Sequence, residues 1–370
     1  MTLFDGITAR LVETDRLSVN VLERAGDDPA TTGEHTVVFV HGNVASSLFW
    51  QEIMQDLPSE LRVLAVDLRG FGRTEHMPID ATRGVRDFSD DLFATLQALD
   101  IADAHLVGWS IGGGVVLQYA LEHPVRSVTL QSPISPYGFG GTRRDGSLVT
   151  ADAAGTGAGV ANDDFVQRLI DHDTTDEAAT SPRSVFRSSY VAPGYASEHE
   201  DVWVEAMLST STAGGNYPGD AVATSTWPGF APGTTGVLNT ISPKYFDVSG
   251  IVELDAKPPI LWIHGTADAI VSDASFADLN HLGSLGVVPG WPGADAAPAQ
   301  PMVSQTRDVL AAYAAAGGEV TEVAVEGAGH SVHLERPASF RQALLTHIGY
   351  VGRPADPAPP TEAIILRSAD

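Results

Sequence analysis

The sequence predicts an α/β protein in which a mostly parallel, eight-stranded sheet carries helices on both faces and is interrupted by one long insertion. Three observations predict it. Short apolar runs of strand type alternate with stretches of helical spacing over the first and last thirds of the chain, the pattern of a parallel sheet with crossover helices. Two alternating segments split by a short polar turn open the chain, as an antiparallel edge hairpin would. From Ser132 to Pro258 the alternation stops and turn signals take over.

In order, ITARLVE (7–13) and LSVNVLE (17–23), separated by Thr14-Asp15-Arg16, form the predicted hairpin. TVVFV (36–40), RVLAVD (62–67), AHLVG (104–108) and SVTLQ (127–131) follow as near-continuous apolar runs, the signature of strands buried on both faces. Helical spacing fills the gaps at Ser46–Asp56, Asp87–Leu99 and Ile111–Glu122. The second of these places Phe88, Leu92, Thr95, Leu96 and Leu99 near one face, with the acids expected opposite. In the interrupted region GFGG, GTGAG and PGFAPG mark turns, and DDFVQRLI, PRSVFRSSYV and HEDVWVEAML suggest helices. PILWIH (259–264) and VTEVAV (320–325) complete the strands, with helices expected near Thr306–Ala316 and Pro337–His347. The predicted organisation is a core from 1–132 and 258–350, an inserted cap at 133–257, a second Gly/Pro-rich insertion at 283–301, and a loose tail at 351–370.

Composition narrows the function. Twenty-one Lys+Arg against 47 Asp+Glu give a net charge of −26, which disfavours nucleic-acid and anionic-membrane surfaces, since both need clustered cations. The 43% hydrophobic content supports a folded core. The chain has no cysteine, so a nucleophile must be oxygen or nitrogen. The start MTLFDGITAR lacks a basic, apolar leader pattern and no long apolar run follows; a soluble, cytoplasmic protein is expected.

The sharpest chemical motif is Gly108-Trp109-Ser110-Ile111-Gly112, entered by a strand and left by a helix. That context marks a nucleophile elbow, with glycines where a flanking Cβ would collide with packed backbone. A serine hydroxyl needs a base, normally a histidine oriented by a carboxylate. Among 12 histidines, His330 lies in GAGHSVHLERP, just after the strand VTEVAV, where ligands gather in open α/β sheets. His333 is its competitor. For the carboxylate, Asp268 follows the strand PILWIH, with Asp273 as second choice; Asp67 and Arg69 in DLRGFGRT read as a structural turn.

With these residues in view, the chain resembles the α/β-hydrolase superfamily. FVHGN (39–43) is similar to its oxyanion loop, DLRGFGRT (67–74) to the loop after the next strand, GWSIGG to its nucleophile elbow, HGTADAIV to its acid loop and GAGHSVHLERP to its histidine loop. The chain order Ser110, Asp268, His330 is also that of the superfamily. The resemblance implies a Ser110–His330–Asp268 triad and an oxyanion hole made by the backbone N–H groups of Asn43 and Ile111. Losing one such donor costs about 3–4 kcal/mol of transition-state stabilisation. Asparagine at position 43 also suits halide binding in the superfamily's dehalogenases, but those use an aspartate nucleophile and a proline where this chain has Val44; epoxide hydrolases are disfavoured for the same nucleophile reason.

The expected activity is cleavage of a small to medium, largely apolar carboxylic ester, with no cofactor and no metal. Lactones, carbon–carbon bond hydrolysis and cofactor-free perhydrolysis use the same triad, and a receptor-like ligand-binding protein is the non-enzyme alternative. Trp109, Trp203 and Met207 are the expected substrate contacts. Gly155-Thr156-Gly157-Ala158-Gly159 has no strand before it and reads as a turn, not a dinucleotide loop.

Overall fold

The computed structural model describes residues 1–24, 35–350 and the backbone strand 363–366. Its main sheet contains the eight expected strands: β1 (Ile7–Glu13), β2 (Ser18–Arg24), β3 (Thr36–Val40), β4 (Arg62–Val66), β5 (His105–Trp109), β6 (Ser127–Gln131) and, beyond the small hairpin β7 (Ala221–Ala223) and β8 (Phe230–Pro232), β9 (Ile260–Gly265) and β10 (Val320–Val325). A ninth, β11 (Ala363–Leu366), pairs antiparallel with β10. It falls in the stretch expected to be a loose tail; the rest of 351–370 lies outside the described residues.

The sheet order is β1-β2-β4-β3-β5-β6-β9-β10-β11. β1, β2 and β4 pair antiparallel, and the run from β4 to β10 is parallel. β3 lies between β4 and β5, so the chain reverses its direction of winding there. The carboxyl ends of β3 and β5 consequently open onto one crevice, where ligands bind in open sheets of this type. Val37 to Val40 are completely buried, and Phe39 lies 4.7 Å from Trp50 by ring centroid. Burying each such side chain contributes about 1.5–3 kcal/mol.

Helix Arg86–Ala98 departs from the expected pattern. Phe88, Leu92, Thr95 and Leu96 are buried as expected, but so are two of its acids, Asp87 and Asp91. The reason lies outside the helix. Arg69 holds Asp91 through Nε and Nη2, both at 2.8 Å; Arg16 adds a 2.7 Å contact, and Arg83 pairs with Asp87. Carboxylates can be desolvated when guanidinium groups meet them this closely.

Near the C-terminal end, helix Met302–Ala315 starts four residues earlier than its apolar spacing suggested, directly after Pro301, a residue that suits a helix start. Pro337–His347 is helical as expected.

Between β6 and β9 the chain forms helices Asp163–Ile170 and Glu200–Leu208, a helical stretch from Pro182 to Tyr190, and the β7–β8 hairpin. Asn162 caps the first helix through hydrogen bonds from Asp164 N and Phe165 N. Among the described residues, no helix is long and apolar enough to cross a membrane.

Candidate active site

Ser110 sits between β5 and helix Ile111–Glu122 with φ 58° and ψ −119°, a conformation that is costly for a residue with a side chain and is held by its surroundings. Those surroundings are backbone. Ser110 N–H donates to Gln131 O at 3.0 Å, and Ser110 O accepts from Gly113 N and Ile134 N. A Cβ on Gly108 would lie 2.3 Å from Gly112 O, and one on Gly112 2.5 Å from Val40 O. Both flanking glycines are therefore required by close approach, and the serine is forced to the top of the turn.

Two N–H groups belong to segments next to this serine, where a Cβ on Gly42 would lie 3.1 Å from Ser110 Cβ. Ile111 is the first residue of its helix, so its N–H has no partner within the helix. Asn43 follows β3 in the adjacent loop. Neither N–H is spent on a hydrogen bond among the described residues. His41 anchors the Asn43 loop: Nδ1–H donates to Gly42 O at 2.7 Å, and Nε2 accepts from Leu68 N at 3.0 Å. Burial holds this imidazole below its usual pKa, consistent with a neutral ring carrying its proton on Nδ1.

The acid and histidine loops leave the ends of β9 and β10. Asp268 Oδ1 accepts from Ile270 N at 2.8 Å and Val271 N at 3.0 Å, while Oδ2 faces His330 Nδ1 at 2.8 Å. Both side chains are 2% exposed. A carboxylate on Nδ1 fixes that proton and leaves Nε2 as the basic nitrogen. The Ser110 hydroxyl makes no hydrogen bond to His330 among the described residues; such contacts are often long in unliganded hydrolytic sites and tighten around substrate.

His333 lies in different surroundings three residues on. Nε2 donates to Phe49 O at 3.1 Å and Nδ1 accepts from Gln131 Nε2 at 2.8 Å. Burial pushes its pKa down to about 3, so both nitrogens are occupied in a neutral ring that packs on Trp50. Asp273 binds Ser304 through its N–H and hydroxyl. Asp67 accepts from Ser47 N, Asn20 Nδ2 and Arg73 N, as a turn-holding residue does.

The expected substrate contacts are less open than the sequence suggested. Trp109, Trp203 and Met207 are fully buried. Trp109 Nε1 donates to His330 O at 3.0 Å, and Trp203 stacks on Phe49 at 5.3 Å. Their large apolar rings are consumed by packing between the insertion and the core. In the Gly155–Gly159 turn, a Cβ on Gly159 would lie 2.1 Å from the Phe230 ring, so that glycine serves packing. Among the described residues, no group of three or more His, Cys, Asp or Glu is placed to hold a metal ion.

Two residues at this site were assigned no role from the sequence. Tyr190 donates to Asn43 O, and Glu335 accepts from Gly329 N. Glu335 lies within GAGHSVHLERP, five residues after His330 and at the end of helix Val332–Glu335, where an acid has many ordinary explanations. Tyr190 lies in the insertion, where the sequence offers only the end of a helical pattern.

A parallel sheet with a strained serine at its centre and an aspartate–histidine pair beside it defines an α/β hydrolase. Residues 37–343 match the alpha/beta hydrolase family, and the chain belongs to it. It is 38% identical over 93 residues to a 2-hydroxymuconate semialdehyde hydrolase from Pseudomonas sp. strain CF600, covering 24% of this chain and 32% of that one. A haloalkane dehalogenase from Agrobacterium fabrum is 32% identical over 132 residues, covering 35% and 40% of the two chains. These matches span less than half the length of either relative. Among solved structures, an esterase from Rhodococcus sp. ECU1013 superimposes with a TM-score of 0.57 at 18% identity, over 94% of this chain and 100% of the esterase.

Proposed function

We propose that the protein is a serine hydrolase that cleaves carboxylic esters of small to medium, largely apolar substrates through an acyl-enzyme. One observation carries the reading: a strained serine with unspent N–H groups of Ile111 and Asn43 beside it, on the same sheet edge as a histidine whose Nδ1 is 2.8 Å from a carboxylate.

Ser110 Oγ attacks the ester carbonyl carbon and His330 Nε2 takes its proton. The carbonyl oxygen becomes an anion held by the N–H groups of Asn43 and Ile111, at the positive end of a helix. Collapse of the adduct breaks the carbon–oxygen bond as His330 returns the proton to the leaving alcohol. Water repeats the sequence and releases the acid. Asp268 keeps the Nδ1 proton in place and stabilises the imidazolium. Residues 133–257, with 283–301, cap the site and select the substrate.

A second reading, hydrolysis of a carbon–carbon bond by the same residues, draws on the similarity to the semialdehyde hydrolase. The test is a panel of nitrophenyl esters, lactones and diketone-like ring-cleavage products offered to wild type and Ser110→Ala, with a fluorophosphonate probe for the nucleophile. Wild type is expected to turn over esters and be labelled at Ser110, and the variant to be slower by about 10⁶-fold. Absence of ester turnover sinks the primary reading; turnover of ring-cleavage products alone establishes the second.

A further inference from the structure

We propose that residues 190–192 of the insertion form a strap across the site, in which Tyr190 is a positioning residue for the Asn43 N–H and Glu335 ties the same strap to the histidine loop. The inference rests on the ester-hydrolysis reading and adds to it the means by which the insertion controls both halves of the machinery.

The first half is the Asn43 loop. The Tyr190 hydroxyl donates to Asn43 O at 2.8 Å and reaches Val44 O at 3.2 Å. Val44 has φ 44°, a left-handed conformation that a β-branched residue adopts only when something outside it holds the backbone there. Tyr190 fixes the two carbonyls on either side of that strained residue. His41 fixes the preceding carbonyl, Gly42 O, at 2.7 Å. In a trans peptide C=O and N–H point in opposite directions, so holding Gly42 O aims the Asn43 N–H, and holding the next two carbonyls stops the loop from relaxing. Tyr190 is buried, and burial raises its pKa, so the hydroxyl remains a donor.

The second half is the histidine loop. Two residues beyond Tyr190, Ala192 N–H donates to Glu335 Oε2 at 2.8 Å, while Oε1 of the same carboxylate accepts from Gly329 N–H at 2.9 Å. Gly329 immediately precedes His330. A Cβ there would lie 2.6 Å from Ala192 N and 2.8 Å from Val191 C, so strap and loop touch backbone to backbone. The Tyr190 ring completes the link, standing edge-on to Trp109 at 5.8 Å and to His330 at 6.3 Å. A displacement of the strap thus disturbs the oxyanion donor and the base together.

The experiment is Tyr190→Phe, which deletes one hydroxyl and keeps the ring packing. With a nitrophenyl ester, kcat is expected to fall about tenfold while KM stays within about twofold, because the donor is misaimed and not removed. Affinity for a trifluoromethyl ketone transition-state analogue falls in the same proportion. Amide hydrogen exchange over residues 42–45 quickens. Combining Tyr190→Phe with Glu335→Gln is expected to give less than the product of the single losses, since both act through one segment. Wild-type kcat and analogue affinity in Tyr190→Phe would overturn the strap. If wild type cleaves no ester, the functional reading fails by itself and the exchange measurement still decides: unchanged protection at 42–45 overturns the strap, and faster exchange upholds it.

Discussion

His105 opens β5 and Ser110 follows its last residue, so the sheet buries a histidine and a serine at each end. At the amino end, His105 Nδ1 meets Ser127 Oγ at 2.8 Å and Nε2 meets His35 Nδ1 at 2.8 Å. At the carboxyl end stand Ser110, Asp268 and His330. The serine–histidine hydrogen bond is made at the amino end, yet the surroundings there are wrong for catalysis. The charged groups acting on His105 are His35, Arg126 and His347, all bases, and burial with their repulsion pushes its pKa down to about 3. Ser127 lies in a regular strand paired with His105. At the carboxyl end a helix begins at Ile111, presenting unspent N–H groups and its positive pole, and a carboxylate, Asp268, stands 2.8 Å from the His330 Nδ1. Proximity of serine to histidine is thus insufficient; strand direction supplies the carboxylate and the donors at one end only.

The largest way to break this contrast is to remove the histidines one at a time. His330→Ala is expected to lower ester turnover by about 10⁴–10⁶-fold. His105→Ala is expected to leave kcat/KM within about twofold and to lower unfolding free energy by about 1–3 kcal/mol, because Ser127 and His35 lose a buried partner. His333→Ala, although it shares the loop of His330, should behave like His105→Ala. Steady-state kinetics and urea unfolding on the three variants separate the classes, and a tenfold loss of turnover in His105→Ala would dissolve the distinction.

A second prediction concerns pH. His105 and His333 are buried and both pushed down to about 3 from the ordinary 6.5. The unfolded chain therefore takes up protons that the fold refuses. The stabilisation is fully present above pH 6.5 and is lost as pH falls toward the folded values. Each such histidine removes about 1.4 kcal/mol per pH unit inside that window. Glu322, whose carboxyl is held down to about 2 from an ordinary 4.5, adds acid sensitivity only lower down. Urea midpoints measured from pH 7 to pH 5 should fall steadily, and a flat profile would show that these rings are not held neutral.

How much of this was legible in the sequence depends on the range of each interaction. The elbow at Ser110 was readable because a strand, a turn and a helix lie within a few residues, and because the collisions that require Gly108 and Gly112 arise from neighbouring backbone. The pairing of Asp268 with His330, 2.8 Å apart, was expected from the resemblance of their loops to known loops after strands. The burial of Asp87 and Asp91 was not: helical spacing sees one helix, whereas Arg16 and Arg69 come from elsewhere. Tyr190 and Asn43 are 147 residues apart, and no local pattern encodes that contact. The serine–histidine contact at the amino end was equally invisible, since His105 and Ser127 each read as the start of an apolar strand.

The smallest expected change in stability comes from making one substitution at both ends. Ser127→Ala deletes a buried hydroxyl and leaves His105 Nδ1 without its partner, which should cost about 1–2 kcal/mol in urea unfolding and leave turnover unchanged. Ser110→Ala deletes a hydroxyl with no hydrogen bond to His330 among the described residues, and alanine meets the same backbone strain as serine. It should therefore leave stability unchanged while abolishing turnover. One oxygen atom then reports structure at one end of the sheet and chemistry at the other; equal losses of stability in the two variants would mean that Ser110 is held as a structural residue, contrary to its proposed role.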